Sequence, residues 1–438
     1  MSERNLASVI GAAAANDAGS ETRMRAARRL APLHEVVVTG IGVVLPNCSS
    51  REQLWQQLHQ GQSQLCLDQD GASSYAVGRV KSFDSAGILA DVPRAYYANC
   101  SREQLFYVCS VVQAYRDAGF TAGQMASDRV GLFDGTSRGN FAFWYELLSN
   151  RNRVANLSVR HLKQGMPGQA VGLAAAILHI KGPTYTFNGT CASGAIAIGN
   201  AYRELQAGRI DVAFGTGHDA ALVPAMFEMY RDAGLMNTDA EEAASSLRAY
   251  VGHSKNVFGE GAISLVLETR EHADARGASI LAQLAGYRHG NGGEHPTEVD
   301  FSGCRPADLI ENALQEAELP ADGVDVVVGH GNGVTASDLS ELNYMRRVFG
   351  SRTRDVPLIS TKPIYGHTLG ASSALNVAAV ALMLDAGYVI PTINIDEARV
   401  AEGFNHQANR GVSRALRSGV AVSFGMGGQN TAIALKKV

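Results

Sequence analysis

The 438-residue chain lacks the features that mark a membrane protein, a disulfide scaffold or a nucleic-acid binder. Its longest strictly apolar stretches, such as VAAVALML at 377–384, fall well short of the roughly 18 residues that a membrane span needs. No transmembrane helix is expected. Six cysteines, at 48, 66, 100, 109, 191 and 304, form no CxxC pair and no metal-finger spacing, and a chain this long needs no disulfide staples. A reducing cytoplasm and no metal are the expectations. With no lysine-rich run and a formal net charge of only −4, the chain has little electrostatic footprint for nucleic acid. The opening NLASVIGAAAANDAG has no net positive start and runs into a polar, arginine-bearing stretch, so residues 1–33 read as a poorly ordered tail rather than a secretory signal.

What is present is 46% hydrophobic and 18% charged, the balance of a globular protein with a large core. Glycine, at 47 residues, exceeds its average share of about 7% and points to tight turns and close backbone approaches. The folded part starts near His34, where HEVVVTGIGVVLPN reads as a buried strand ending in turn residues. Further buried strands are expected at RVGLFDGT, TYTFN, DVAFGTG and AISLVLE. Helical patterns between them imply a parallel sheet covered on both faces.

The second half repeats the first. CASGAIAIGNAYRELQAG from 191 aligns without a gap to GASSALNVAAVALMLDAG from 370, sharing Ala192/Ala371, Ser193/Ser372, Ala195/Ala374 and the ending Leu205/Leu384, Ala207/Ala386, Gly208/Gly387. Both close on a glycine suited to a left-handed cap. DRVGLFDGT and VDVVVGHGN form a second matching pair, and a duplication explains both. The two helices carry small residues on every face, which predicts burial all round, as a central helical layer between two sheets. The expected halves are 34–275 and 276–438.

Cys191 falls at the predicted first turn of such a helix, where free backbone N–H groups and the macrodipole favour a thiolate. The other five cysteines read as ordinary small hydrophobes. His367, three residues before Gly370, belongs to the mirror-image loop, and His330 lies just past another strand end, where functional groups gather. Two converging imidazoles can exchange protons near pH 7 and stabilise an enolate or oxyanion. Lys362, Asp338 and Glu341 are close enough in sequence to orient them.

The set TCASGA, HGNGVTASDLSE, STKPIYGHTLGA and SFGMGGQN, in this order, resembles the β-ketoacyl-acyl carrier protein synthases of the thiolase-like condensing enzymes, of the fatty-acid elongating and type II polyketide kind. The resemblance runs from about His34 to Val438. It implies an α/β, thiolase-like duplicated fold, layered α-β-α-β-α, with two mixed, mostly parallel sheets around buried central helices. It further implies that Cys191 accepts the acyl chain as a thioester, that His330 and His367 assist malonyl decarboxylation, and that Lys362 organises the site with Glu341 and Asp338. The backbone N–H groups of Cys191 and Met426 would form an oxyanion hole, and Met426 with Phe424 would gate the acyl pocket. No cofactor is implied, because the substrates ride on the phosphopantetheine arm of an acyl carrier protein. The partner subunit would be a second copy or a homologous chain-length-factor-like chain.

Met426 stands where the family places a gating phenylalanine, and a flexible thioether there suits a longer, bent or conjugated chain. HGNGV lacks the threonines of the usual HGTGT. RAYVGHSKNVFGEGA keeps only the end of its family counterpart. Between Glu146 and Glu204 there is no acidic residue, so Arg151, Arg153, Arg160 and Lys163 are expected to help dock an acidic carrier protein. Two other readings stay open: an acyltransferase on the same fold that uses Cys191 without decarboxylation, and a non-catalytic scaffold that shapes a partner's product.

Overall fold

The β-branched run VVVTGIGVV forms strand β1 (Val36–Val44), buried along its whole length. The computed structural model that contains it describes residues 33–438 apart from 71–72, 151–153, 155, 240, 252–253, 294 and 296–298. The tail expected over 1–33 lies, but for Leu33, outside these residues, and His34–Val438 forms one compact unit.

Among the described residues the main sheet continues with β2 (Val130–Thr136), β3 (Thr184–Phe187), β4 (Val212–Asp219) and β5 (Gly261–Thr269). The second half adds β6 (Ala282–Asn291), β7 (Val326–Val328), β8 (Leu358–Ile359), β9 (Ser418–Gly425) and β10 (Gln429–Lys436). The strand order is β8-β7-β9-β10-β6-β1-β5-β4-β2-β3. Counted within each half, both run third, second, fourth, fifth, first. The pairings match as well: third to second and second to fourth are parallel, fourth to fifth and fifth to first antiparallel.

The layered α/β fold is present, with two differences from the sequence expectation. The halves join where Val36–Val38 pair with Ala282–Leu284, which makes one continuous sheet of ten strands instead of two, and its middle pairings are antiparallel. Alternating strands and helices signal crossovers, but they do not reveal that the last strand of each half turns back. The TYTF strand is also not buried: β3 is one of the sheet's two edge strands and most of it is exposed.

Helices α1 (Arg102–Asp117) and α2 (Gln169–Leu178) cover the first half, and α4 (Cys304–Glu316) and α5 (Thr335–Phe349) cover the second. Between them lie α3 (Ser193–Gln206) and α6 (Gly370–Ala386), which pack on each other and on strands of both halves. A side chain could not fit at the crossing, because a Cβ on Gly194 would sit 2.7 Å from the carbonyl oxygen of Gly370. That contact explains the small residues in both helices. Ser373 Oγ of α6 accepts the N–H of Ala195 at 3.0 Å. Gly208 and Gly387, just beyond the two helices, take the expected left-handed φ of 64° and 62°.

Candidate active site

The two central helices begin in the same unusual way. Thr190, directly before Cys191, has φ 52°, and Leu369, at the matching place before α6, has φ 51°. Non-glycine residues held there cost of order 1–3 kcal/mol each, and such strain concentrates where a side chain must be aimed. In the first half this places Cys191 in a 3₁₀ turn (Thr190–Ala192) that runs directly into α3. Ser193 ties the turn down, donating to the carbonyl of Thr136 at 3.1 Å while accepting from Gly189 N–H at 2.9 Å.

Cys191, His330 and His367 meet on the wall of one cavity of about 430 Å³, with Tyr230, Asn332, Phe424 and Met426 also in its lining. The imidazoles stand edge to face, with centroids 5.1 Å apart and planes at 90°. The ring of Phe424 packs 5.6 Å from that of His330. A larger cavity of about 710 Å³ lies elsewhere; it is lined by Arg102 and Glu260 and contains none of the three.

The supporting residues act on the His330 loop. Lys362 Nζ donates to the carbonyl of His330. The Glu341 carboxylate accepts the N–H groups of His330, at 2.7 Å, and of Gly331, and also the Tyr344 hydroxyl at 3.0 Å. Lys362 and Glu341 therefore hold the same backbone turn from opposite charges. Asp338 accepts the N–H of Tyr250 at 2.7 Å, one layer further out. Burial pushes the Glu341 carboxyl up to about 7, opposed by the Gly331 N–H and the Lys362 charge. It lowers Lys362 to about 8, opposed by Glu341.

Two electrostatic expectations need correction. The Cys191 thiol is not lowered: burial pushes it up to about 11, opposed by the charges of Arg138 and Lys362. The end of the helix does not offset the loss of water around a cysteine that is buried. Nor do the histidines exchange protons near pH 7. Burial, and then the charge of Lys362, holds both well below the ordinary histidine range. They are neutral imidazoles, suited to donating or accepting a hydrogen bond without carrying charge.

Their partners bear on which nitrogen carries the proton. His367 Nδ1 lies 2.9 Å from Ser372 Oγ. With the serine donating, the ring proton resides on Nε2. Asn332 Oδ1 accepts the N–H of Val334 at 3.0 Å, which turns its amide nitrogen to His330 Nε2 at 3.1 Å. Nε2 of His330 is therefore the acceptor. The sequence marked HGNGV only for the threonines it lacks, so Asn332 itself was missed.

Met426 and Phe424 both line the cavity; Phe424 is buried, whereas Met426 is 40% exposed. The carbonyl of Met426 accepts the Thr190 hydroxyl at 3.1 Å, tying the glycine-rich turn to the residue before Cys191. Arg151 and Arg153 lie outside the described residues, as does the side chain of Arg160, and Lys163 is exposed on the short helix Val159–Gly165. Asp219 and Asn376 also escaped the sequence reading. Asn376 Nδ2 donates to the carbonyls of Gly329 at 2.9 Å and Val422 at 3.1 Å, so α6 supports the His330 loop directly. Among the described residues no cluster of His, Cys, Asp or Glu is placed to hold a metal ion, and no helix is long and apolar enough to cross a membrane.

A duplicated α/β fold that gathers a cysteine and two neutral imidazoles around one cavity defines a class of thiol enzyme, and comparison with known proteins identifies the family. Residues 33–273 match the beta-ketoacyl synthase N-terminal domain and residues 281–396 its C-terminal domain. The chain belongs to the β-ketoacyl synthase family. It is 30% identical over 424 residues to a putative polyketide beta-ketoacyl synthase 1 of Streptomyces halstedii, covering 91% of this chain and 97% of that one. It is 29% identical over 415 residues to 3-oxoacyl-[acyl-carrier-protein] synthase 2 of Synechocystis sp., covering 92% and 98%. Among solved structures it resembles the ishigamide ketosynthase/chain length factor, with a TM-score of 0.85 and 25% identity over 93% of this chain and 100% of that one. It also resembles a type II polyketide ketosynthase in complex with its acyl-carrier protein and bound to the hexaketide, with a TM-score of 0.84, 25% identity and the same coverage.

Proposed function

We propose that this β-ketoacyl synthase performs a decarboxylative Claisen condensation in which Cys191 carries the growing chain and His330 and His367 serve the malonyl half-reaction. The observation that carries this reading is the meeting of all three side chains on one cavity wall. In the first step the Cys191 sulfur attacks the carbonyl carbon of an acyl-carrier thioester. The new S–C bond replaces the old one, and the proton of the Cys191 thiol leaves with the carrier thiol. Malonyl-carrier then loses its carboxylate as carbon dioxide, and the electron pair of the broken C–C bond forms an enolate. Neutral His367, with its proton on Nε2, and the His330–Asn332 pair supply hydrogen bonds to the thioester oxygen as charge develops there. The enolate carbon attacks the Cys191 thioester, the β-ketoacyl-carrier departs, and the thiolate regains a proton.

Backbone N–H groups of Cys191 and Met426 are the proposed oxyanion donors, and Met426 and Phe424 the proposed gate. The reaction calls for no cofactor beyond the carrier's pantetheine arm. The relatives support an acyl carrier protein as donor and a chain-length-factor-like homologue as partner subunit; a second copy of this chain is the alternative partner, and Arg151, Arg153, Arg160 and Lys163 are the proposed carrier contacts. All six cysteines are free thiols, which suits a cytoplasmic setting.

The test is incubation with malonyl-carrier and a panel of acyl-carriers, followed by product mass. A β-ketoacyl-carrier, release of carbon dioxide and a Cys191-bound acyl group are expected, and Cys191→Ala abolishes the condensed product and the bound acyl group. Acylation of Cys191 without carbon dioxide makes the chain an acyltransferase; no acylation at all makes it a scaffold.

A further inference from the structure

Tyr230, on the helix Pro224–Asp232, is a buried phenol in the wall of the cavity that holds Cys191. Its ring is clamped against Phe258, with centroids 4.4 Å apart. Behind it the Arg138 guanidinium donates to the phenol oxygen and lies 5.5 Å from the ring centroid. Arg138 comes from the turn after β2, and its backbone N–H is fixed by the Asp219 carboxylate at 2.8 Å. An arginine can only donate, so the phenol oxygen is the acceptor of this pair. The phenol's own hydrogen is directed elsewhere, and its partner is the Met426 sulfur at 3.9 Å, a weak acceptor. Arg138 Nε is likewise buried with no hydrogen-bond partner among the described residues. Burial, and then the nearby Cys191, keep the phenol above its ordinary range, so it stays protonated.

A purely hydrocarbon chain seated here would leave the phenol hydrogen on its weak sulfur acceptor, whereas an oxygen on the chain would accept that hydrogen in place of sulfur. Resting on the ketosynthase reading, we propose that Tyr230, polarised by Arg138, selects acyl chains that bear an oxygen near the thioester, as ketone, hydroxyl or carboxylate, over saturated chains of equal length. The chemistry at Cys191 is unchanged: the carrier thioester bond breaks, the Cys191 thioester forms, and the thiol proton goes to the carrier sulfur. Tyr230 acts on which chain is accepted.

The experiment measures the rate of acyl transfer to Cys191 by intact mass, with saturated, keto, hydroxy and carboxy acyl-carriers of matched length. At least one oxygenated chain is expected to transfer roughly tenfold to a hundredfold faster than the saturated one, as befits a hydrogen bond within a charged pair. Which arm is fastest identifies the oxygen group. Tyr230→Phe, a conservative change, brings the ratio close to one by slowing the oxygenated chain, and Arg138→Met lowers it in the same direction. A saturated chain that transfers as fast as every oxygenated one in the unmodified protein overturns the proposal. So does a Tyr230→Phe variant that slows all chains alike, because that marks a general effect on the nucleophile. If no chain is transferred at all, the ketosynthase reading itself fails, an outcome distinct from transfer without preference.

Discussion

The carboxylate of Asp219, at the end of β4, accepts the backbone N–H of Gly370, the first residue of α6, at 2.6 Å. A strand end of the first half thereby caps the central helix of the second. The same carboxylate accepts the N–H groups of Ser137 at 3.0 Å and Arg138 at 2.8 Å, and the Thr136 hydroxyl at 3.0 Å. It is fully buried. One side chain therefore fixes both the turn that carries Arg138 and the helix that follows the His367 loop.

Replacing Asp219 by alanine strands three backbone N–H donors at once, those of Gly370, Ser137 and Arg138, while the Thr136 hydroxyl keeps Glu103 as an acceptor. Each unsatisfied group costs about 1–3 kcal/mol, so Asp219→Ala is expected to lose at least about 3 kcal/mol of stability. The measurement is the midpoint of urea unfolding, expected to fall markedly with the slope unchanged. A midpoint equal to that of the unmodified protein would show that water takes over the carboxylate's role.

The buried thiol sets a second expectation. A cysteine raised to about 11 is a neutral thiol below that pH and a thiolate above it, so alkylation of Cys191 by iodoacetamide should keep accelerating from pH 7 to pH 10. Lys362 loses its charge near pH 8, and its cation is one of the groups opposing the thiol's rise, so the acceleration is shallower above pH 8 than below. Both histidines are already neutral across this range, so neither contributes a step. A plateau by pH 7 would sink this account and restore the helix end as the dominant influence.

The contrast between Cys191 and its surroundings shows what a sequence carries. The strands at Val36–Val44 and Val212–Asp219 were legible because alternation and β-branching are local, and the two central helices because small residues on every face can only mean burial. The three residues that meet on the cavity wall were legible because each stands at a strand or helix end within a distinctive motif. Charge state was not legible. Whether Cys191 is lowered by a helix end or raised by burial depends on how completely water is removed, which is a property of the closed cavity. Lys362 and Glu341 were grouped with His330 by their nearness in sequence, but that both grip its backbone emerges only from the fold. Asp219, Tyr230 and Arg138 carry no motif; distant segments converge on them. The continuous sheet was hidden for the same reason, since the three-residue seam between β1 and β6 involves residues some 250 positions apart.

Asn332 distinguishes between two ways of running the malonyl half-reaction. Its amide is oriented by the Val334 N–H and donates to His330 Nε2 at 3.1 Å, which assigns the His330 proton to Nδ1 while leaving a second amide hydrogen on the cavity wall. If this pair stabilises the enolate as a unit, Asn332→Ala removes a donor and frees the imidazole to change tautomer. Carbon dioxide release from malonyl-carrier should then fall by about tenfold or more, a smaller loss than that of a dedicated oxyanion-hole donor. Transfer of the acyl chain to Cys191 should be little altered, because that step forms no enolate. Measuring the two half-reactions separately makes the assignment: equal losses in both would point to a collapsed loop, and an increase in carbon dioxide release would mean that Asn332 restrains a histidine that works better with its proton on Nε2.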